Sequence, residues 1–306
     1  MELIDFSNSN KRNKAYAGAN GSKISIEYEN DIYMLKFPAL PTRKTDLSYA
    51  NSCISEYIGC KIYESIGIPV QKVLLGTYTS NNRTKIVVAC KDFTSSGLVL
   101  QDFASLKNQI IDSERNGYGT ELNDIKETFK EQTAIDSEII KNRFWDMFIV
   151  DALIGNWDRH NGNWGFLYNF TTDELSLAPV YDCGSSLFPQ ADENMINKMM
   201  SNKALLHDRI FNRPLSAIME NGSKINYFDF ISSCKDKDCT KALKRIAPLI
   251  NLNKINEIID DIPVITPEHK AFLQTIISER KERIIDFSYK KALKMEKQKK
   301  NIEKEL

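Results

Sequence analysis

Three polar side chains at fixed intervals constrain the fold of this chain more than any other feature. Asp158 is followed five residues later by Asn163, and Asp182 comes nineteen residues after Asn163. Enzymes that transfer phosphoryl groups use an acid–base Asp, an Asn five residues further on, and a later Asp that shares magnesium ions with that Asn. The spacing therefore predicts a fold that returns Asp182 to the Asp158 loop. The alternative is a polar loop whose Asp and Asn side chains only cap turns.

The segment between Asn163 and Asp182 is predicted to make this return as a β-hairpin. Residues 164–168 and 175–179 are rich in apolar side chains, and the polar stretch 169–174 between them has the composition of a turn. A hairpin brings its two ends together, so both metal-binding side chains could face one cleft. Positioned oxygen ligands of this kind hold magnesium, and the chemistry then needs no covalent nucleophile.

The bulk composition indicates a globular protein. The chain has 306 residues, enough for one two-lobed enzyme or two small domains, and 42% of them are hydrophobic. Lys and Arg total 41, as do Asp and Glu, so no nucleic-acid partner is predicted. The sequence contains no run of about 18 uncharged apolar residues, so no membrane span is predicted. The first five residues lack the features of a secretory signal, so a cytoplasmic location is expected.

The six cysteines are expected to be reduced thiols, because no secretory signal accompanies them. Cys234 and Cys239 could begin a metal site, with four residues between them. Neither a second cysteine pair nor a nearby histidine completes four ligands, so zinc is not predicted.

The residues up to Phe93 are predicted to form strands and one helix. A stripe of isoleucines from Ile54 to Ile66 recurs at helical spacing, and Gly67 ends the pattern. Segments with strand character surround it, at residues 23–28, 32–37, 70–78 and 85–93. Three or more strands with one helix make a small α+β unit.

The residues after Phe93 are predicted to be mainly helical. Helices are expected at residues 105–111, 122–132 and 137–154, and the last is rich enough in large apolar side chains to be buried. Gly155 ends this helix and delivers the chain to the Asp158 loop. The tail from Lys290 carries many lysines and few apolar residues, which indicates a solvated helix; a docking or targeting signal is the alternative.

A glycine-containing turn precedes the first of these strands. Gly18 and Gly21 allow backbone N–H groups to approach a polyphosphate closely, and Asn20, Ser22 and Lys23 add donors. A strand rather than a helix follows, so the P-loop fold is disfavoured.

Lys36 is the predicted phosphate-binding lysine. It stands in the middle of a strand with Met34, Leu35 and Phe37 around it, and an ammonium group among such neighbours needs an anionic partner. Glu56 on the predicted helix is the preferred partner, and Glu64, two turns further along, is the second candidate. The alternative is a surface lysine on the polar face of a hairpin.

Several charged residues near Asp158 have supporting or structural roles in this interpretation. Arg159 is expected to pair with an acidic or phosphorylated loop. His160 is expected to hydrogen-bond to the backbone near the second aspartate, because Asp158 already serves as the base. Asp146 and Asp151, on the preceding helix, are assigned to the helix surface or to capping.

Motifs along nearly the whole chain resemble the bacterial HipA-like serine/threonine kinases. They are Leu35-Lys36-Phe37-Pro38, Ser55-Glu56-Tyr57, residues 87–93, residues 158–163 and Tyr181-Asp182-Cys183-Gly184. The resemblance implies an α+β, protein-kinase-like bilobal fold, with a β-rich N-lobe at residues 1–93 and a helical C-lobe at residues 94–306. ATP would lie in the cleft between the lobes.

The resemblance also implies roles for individual residues. Lys36 would hold the ATP phosphates and act in catalysis, Asp158 would be the base, and Asn163 and Asp182 would bind Mg²⁺. The backbone of residues Ala89, Cys90 and Lys91 would bind adenine as the hinge. Relatives phosphorylate themselves on serine, and the candidates in this chain are Ser22, Ser185 and Ser186.

Three functions of different classes are open to a chain with these motifs. The leading one is a serine/threonine protein kinase, for which the resemblance raises a host-cell protein as substrate and export as a second location. A lipid or small-molecule kinase is the second, because the Asp-Arg-His-x-x-Asn order also resembles phosphatidylinositol kinases, although no basic amphipathic helix suggests membrane contact. The third is a non-catalytic nucleotide-binding module, which the complete set of Lys36, Asp158, Asn163 and Asp182 argues against.

Overall fold

A six-stranded sheet occupies the N-terminal part of the molecule. The computed structural model describes residues 1–16, 22–38, 50–94, 97–111 and 115–305. The strands of this sheet are β1 (Ile4–Asp5), β2 (Asn10–Arg12), β3 (Lys23–Tyr28), β4 (Asp31–Lys36), β5 (Val73–Ser80) and β6 (Arg83–Lys91). They lie in the order β1-β5-β6-β4-β3-β2; β1 is parallel to β5, and every other neighbouring pair is antiparallel.

Alternation along the strands gives this sheet two buried faces. Ile26, Leu35, Val87 and Ala89 pack with Phe6 in a small core on one face. The intervening residues of β6, such as Val88 and Cys90, belong to the main core on the other face. Because successive side chains point to opposite faces of a strand, one strand serves both cores.

The predicted isoleucine stripe forms the first helix, α1 (Ser52–Ile66). Ile54, Ile58, Ile62 and Ile66 are all buried in the main core. The helix ends at Gly67, whose φ of +86° is the left-handed conformation that favours glycine. α1 therefore backs the six-stranded sheet, as the sequence predicts.

The rest of the chain is mainly helical. Its helices are α2 (Phe103–Ile110), α3 (Leu122–Glu131), α4 (Ser137–Ile154), α5 (Glu193–Ser201), α6 (Lys203–Phe211), α7 (Tyr227–Ser233), α8 (Lys237–Ile246), α9 (Leu252–Asp260), α10 (Pro267–Arg280) and α11 (Phe287–Glu305). A 3₁₀ turn (Ala247–Leu249) precedes α9, and a π-helical segment (Lys281–Asp286) joins α10 to α11.

A second, three-stranded sheet lies among these helices. It contains β7 (Leu98–Asp102), β8 (Gly165–Asn169) and β9 (Glu174–Leu177), in that order. β8 and β9 form the predicted hairpin. β7 was not predicted, because its residues are exposed or half-buried without a regular alternation. A short hairpin of β10 (Met219–Glu220) and β11 (Ser223–Lys224) follows α6.

Helix α4 is the buried axis of the helical part. Every residue from Met147 to Ile154 is buried, so the second half of the helix is enclosed around its whole circumference, as expected of a core helix. Asp136 caps its first turn by accepting a hydrogen bond from the Glu138 amide, and Gly155 ends it with a φ of +63°.

Arg280 holds the C-terminal end of α4 in place. Its guanidinium is fully buried and donates to the carbonyl oxygens of Ala152, Arg209 and Arg213 at 2.7–2.9 Å. Burial lowers the pKa of Arg280 to about 10. Ala152 and Arg209 lie in the last turns of α4 and α6, where the helix dipoles favour a positive charge. This contact holds the point at which α4 becomes the Asp158 loop.

The predicted α+β class is confirmed, and the described residues of the β-rich part contain one helix, α1. The boundary between residues 93 and 94 stays a prediction. Among the residues that the structure describes, no helix has the length and apolar character needed to cross a membrane.

Replacing Ile149 in α4 with alanine is expected to destabilise the protein by about 2–5 kcal/mol, because it leaves a cavity in the core. Ile149 is fully buried, whereas Ile139 in the same helix is 46% exposed. The matched Ile139→Ala variant should stay within about 0.5 kcal/mol of the parent. Urea unfolding measures both, and equal losses would contradict the assignment of α4 as the core axis.

Candidate active site

Lys36 lies at the end of β4 with its ammonium group between two carboxylates. The Nζ atom is 3.1 Å from Glu56 Oε2 and 3.0 Å from Asp182 Oδ1, and the side chain is only 15% exposed. Burial acts to lower the pKa of Lys36, but the charges of Asp182 and Glu56 raise it well above its ordinary value. Lys36 is therefore a charged, buried group, and the alternative of a surface lysine is wrong.

Helix α1 supplies Glu56 to this centre. Its side chain is 1% exposed, and it faces the sheet in the second turn of the helix. Glu64 lies instead on the outer surface of α1 and pairs with Lys61 at 2.7 Å. The structure thus brings together Lys36 and the preferred partner of the two that the sequence offered.

Lys23 joins the same face of the sheet. It is the cross-strand partner of Lys36 in the β3–β4 register, and burial and the Lys36 ammonium lower its pKa. Ser22 lines a pocket with Ile24 and Phe37, which pack against the small core on the opposite face. The structure therefore places Lys23, but not Ser22, beside Lys36. The predicted phosphate-binding residues Gly18, Asn20 and Gly21 lie outside the described residues.

The loop from Asn156 to Asn163 holds Asp158 by hydrogen bonds of its own. The Asp158 amide donates to Asn156 Oδ1 at 3.1 Å, and Asn163 Nδ2 donates to the Asp158 carbonyl at 2.8 Å. Asn161 anchors the loop to its surroundings, since its Nδ2 donates to the carbonyl oxygens of Gly117 and Gly119 at 2.8 Å. Asp158 and Asn163 are thus joined as the five-residue spacing predicts.

The Asp158 carboxylate faces the cleft and is about one-third exposed. Burial raises its pKa above the ordinary aspartate value, and the neighbouring Asp182 raises it further, while His160 and Ser185 act in the opposite direction. His160 Nε2 lies 4.0 Å from Asp158 Oδ1, and Ser185 Oγ donates to Asp158 Oδ2 at 3.5 Å. The backbone contact of His160 is with the Gly162 amide in its own loop, not with the segment near Asp182.

Arg159 forms a buried ion pair that the sequence analysis missed. Its Nε donates to Asp151 Oδ2 at 3.0 Å, and its Nη1 donates to the carbonyl oxygens of Asn163 and Tyr181. The expectation that Asp151 lies on the helix surface is wrong, because its side chain is 1% exposed. The expected pairing of Arg159 with an acidic or phosphorylated loop is also wrong, because the buried Arg159 pairs with a carboxylate of helix α4.

Tyr63 and Asn156 complete the environment of Asp151. Their side chains donate to Asp151 Oδ1 at 2.9 and 3.1 Å. Arg159 thereby ties the Asp158 loop, the Asp182 loop and helix α4 to one another. Asp146 is half-buried, with its side chain 17% exposed, and it pairs with Arg245 of α8 at 2.5 Å, so it does not lie on the open surface of α4 either.

Asp182 follows β9 in a backbone conformation that is uncommon outside glycine, with a φ of +60°. Burial acts to raise its pKa, but the charge and hydrogen bond of Lys36 hold the pKa below the ordinary value. The next two residues pass close to α1: a Cβ on Gly184 would lie 3.0 Å from Glu56 Oε2, and one on Gly59 would lie 2.6 Å from Cys183 Cβ. Glycine at both positions permits the approach of the Asp182 loop to Glu56.

The donor set near Asp182 fits a magnesium ion bound together with a substrate. Asn163 uses its Nδ2 within the loop, which leaves its Oδ1 as a ligand, and Asp182 has a second carboxylate oxygen beside the one that meets Lys36. In the described parts of the chain, no group of three or more His, Cys, Asp or Glu side chains could hold a metal by itself. Mg²⁺ commonly takes one or two protein ligands and completes its shell with phosphates and water.

The predicted hinge is placed too early in the sequence. Ala89 and Cys90 lie in a central strand that is paired with β4 on one side and β5 on the other. The Lys91 amide donates to the Lys72 carbonyl, and the Lys91 carbonyl accepts from Gln71 Nε2. These backbone groups are already paired, and so are the amides of Asp92, with the Ile32 carbonyl, and Thr94, with Asp92 Oδ1. Adenine would therefore have to meet the remaining backbone groups of residues 92–94.

The candidate phosphorylation sites differ in access. Ser185 is half-buried and touches Asp158, whereas Ser186 is fully buried and donates to the Cys183 carbonyl at 2.8 Å. Ser186 is therefore wrong as a candidate, because a phosphate cannot reach it in this fold. Ser22 is exposed.

Comparison with known proteins agrees with this geometry. Residues 12–260 match the family described as the HipA-like C-terminal domain. The serine/threonine-protein kinase CtkA of Helicobacter pylori strain J99 is 48% identical over 283 residues, which cover 92% of this chain and 86% of that protein.

Solved structures give the same result. The crystal structure of the Helicobacter pylori proinflammatory kinase CtkA matches with a TM-score of 0.91 at 47% identity, over 96% of this chain and 99% of that one. A chain of the Shewanella oneidensis MR-1 complex of HipA, HipB and operator DNA matches with a TM-score of 0.56 at 15% identity, over 90% of this chain and 67% of that one. The second match supports the fold alone.

The chain belongs to the HipA-like C-terminal domain family. The predicted protein-kinase-like fold and the enzyme class, a serine/threonine-protein kinase, are confirmed by these relatives.

Replacing Asp151 with asparagine is expected to destabilise the protein by about 3–5 kcal/mol, because it leaves the buried Arg159 charge without its carboxylate. The matched Glu138→Gln variant removes a carboxylate from the same helix, where Glu138 is 64% exposed and pairs with Lys141. Loss of that exposed pair should lower the free energy of unfolding by less than about 1 kcal/mol. Urea unfolding compares the two, and a loss at Asp151 no larger than at Glu138 would contradict the buried pair.

Proposed function

We propose that this protein transfers the γ-phosphoryl group of ATP, with Mg²⁺, to serine or threonine hydroxyls of proteins. The observation that carries the proposal is the ion pair of Lys36 with both Glu56 and Asp182, 3.1 and 3.0 Å from its Nζ. This contact links the phosphate-binding lysine to the loop that holds the predicted metal ligand. Asp158 lies near enough to Asp182 for the two charges to interact.

ATP would bind between the six-stranded sheet and the Asp158 loop. Lys36 and Lys23 share one face of the sheet and supply positive charge to the phosphates. Residues 92–94, which leave β6 next to Tyr181, are the proposed adenine contact; the ring centroids of Phe93 and Tyr181 are 5.8 Å apart. We propose the lobe boundary between residues 93 and 94, because the chain leaves the six-stranded sheet there, after β6.

Asn163 Oδ1 and the Asp182 carboxylate would hold the metal. When bound, Mg²⁺ neutralises the charge that develops on the phosphate oxygens. Glu56 has a positioning role, because its carboxylate shares Lys36 with Asp182. Glu56 thus directs the lysine towards the phosphates.

Asp158 is the proposed base. Its carboxylate accepts the proton of the acceptor hydroxyl while that oxygen bonds to the γ-phosphorus, and the bond to the bridging oxygen breaks so that ADP leaves. Ser185 donates a hydrogen bond to the carboxylate at 3.5 Å, and His160 Nε2 lies 4.0 Å from it. Arg159 is saturated by Asp151 and two backbone carbonyls, so its role is to position the loop.

Autophosphorylation on serine is part of the proposal, and Ser22 and Ser185 are the two remaining candidates. The acceptor protein is proposed to be external to the chain, with a host-cell protein as one source. A cytoplasmic location and export into a host cell are the two locations consistent with the proposed acceptor.

Mass spectrometry after incubation with Mg-ATP and a protein acceptor tests the transfer; phosphate confined to a lipid or a small alcohol would contradict a protein acceptor.

Asp158→Ala is expected to reduce turnover by roughly 10²–10⁴-fold, the range for loss of a general base. The matched Asp261→Asn variant removes an exposed carboxylate at the end of α9 and should leave turnover unchanged. Transfer from labelled ATP measures both. Comparable turnover in the Asp158 variant and the parent would contradict the role of Asp158 as the base.

Turnover is expected to fall as the pH is lowered through the raised pKa of Asp158, because a base must be deprotonated to accept a proton. The Ser185 hydrogen bond acts to lower that pKa. Ser185→Ala should therefore raise the pKa and move the acidic limb of the kcat profile to higher pH. An acidic limb that stays in place in this variant would argue against Asp158 as the titrating group.

A further inference from the structure

A pocket of about 930 Å³ opens on the six-stranded sheet, on the face opposite Lys36. Its lining includes Lys11 on β2, Ser22 before β3, Phe37 after β4, Tyr78 on β5, and Arg83 and Lys85 on β6. Nothing in the proposed phosphoryl transfer uses these cationic side chains.

The alternation of β6 explains why the cations gather there. Val87 and Ala89 face the small core, and Arg83 and Lys85 continue the same odd-numbered face towards the start of the strand. Ile24 of β3 lines the pocket one alternate position before Ile26 of the core. One face of the sheet is thus apolar at one end and positively charged at the other.

The charge of the pocket is unbalanced. Its lining contains Lys11, Arg83 and Lys85 and no Asp or Glu. Within the described ranges, none of the three forms an ion pair with a carboxylate, whereas the adjacent Arg12 pairs with Glu27. Three cations converge here without a protein anion to offset them, which favours an anionic ligand.

Two of the three cations lie over aromatic rings. Phe37 and Tyr78 pack edge to face with their centroids 5.3 Å apart. Lys85 Nζ lies 5.9 Å from the Phe37 centroid, and Lys11 Nζ lies 5.9 Å from the Tyr78 centroid. Such cation–π contacts restrict the lysines without neutralising them. These contacts favour positions of Lys11 and Lys85 beside the two rings that line the pocket.

We propose that this pocket binds a phosphorylated serine or threonine side chain of a protein partner. A phosphate monoester carries about −1.5 to −2 charge at neutral pH and three acceptor oxygens, which suits three cations better than a single carboxylate does. The guanidinium of Arg83 can give two parallel hydrogen bonds, and Ser80, its cross-strand partner, adds a hydroxyl donor. The volume exceeds that of one phosphate and leaves room for neighbouring peptide residues.

The experiment compares a fluorescein-labelled peptide, Ala-Ala-phosphoserine-Ala-Ala, with its unphosphorylated form by fluorescence anisotropy, using the full chain after phosphatase treatment. The phosphopeptide is expected to bind at least about tenfold more tightly, and Arg83→Gln and Lys85→Gln should each remove most of this preference. Lys203→Gln and Lys254→Gln remove exposed charges from α6 and α9 and should change nothing. Equal binding of the two peptides, or an equal loss in all four variants, would overturn the proposal.

Two further measurements separate this site from the active site and from variant misfolding. Asp158→Ala should bind the phosphopeptide as the parent does even when it transfers no phosphate, so failure of the proposed kinase reaction leaves the binding result intact. Inorganic phosphate should displace the peptide from the unaltered chain more strongly than chloride at equal ionic strength; equal displacement would overturn a phosphate-specific pocket.

A phosphate on Ser22 of the chain itself is the competing occupant. If the phosphatase-treated chain shows no preference for the phosphopeptide, and phosphate on Ser22 resists phosphatase until Arg83 and Lys85 are replaced, the pocket serves the chain's own serine. That pair of results, read by mass spectrometry, would overturn the assignment to a partner protein.

Discussion

The ion pair of Lys36 with Glu56 and Asp182 is the contact on which the rest of the site depends. Burying an ammonium group costs free energy unless its partners are well placed, and here one partner comes from helix α1 and the other from the loop after β9. The sheet, the helix and the loop are therefore held in one arrangement. Gly59 and Gly184 permit it, because larger residues would separate α1 from the Asp182 loop.

A second buried pair, Arg159 with Asp151, supports the first from the helical side. Arg159 reaches the backbone of both loops that carry the proposed base and metal ligands, while Asp151 belongs to the rigid helix α4. Arg280 then secures the end of that helix. Arg159, Asp151 and Arg280 are buried, so they support the cleft from behind its surface. This separation leaves Asp158 and part of Asp182 exposed for chemistry.

Local patterns predicted much of this arrangement, and long-range packing decided the rest. Period-two strands and the isoleucine stripe identified β3, β4 and α1, and the apolar surroundings of Lys36 indicated its need for an anion. The surface position expected for Asp151 is wrong because the second half of α4 is buried on every side, so no periodicity tells a buried position from a surface one. The hinge was misplaced because pairing on both sides of β6 is not visible in one strand's sequence.

Asp182 and Asn163 are expected to meet at one metal position beside Lys36. Diffraction from crystals grown with Mn²⁺ and a non-hydrolysable ATP analogue tests it most directly, because manganese scatters anomalously and can replace magnesium. The predicted result is an anomalous peak within about 2.0–2.3 Å of Asp182 and Asn163 side-chain oxygens, the bond range of such hard cations. A peak that appears with the nucleotide but lies away from both side chains would contradict the account.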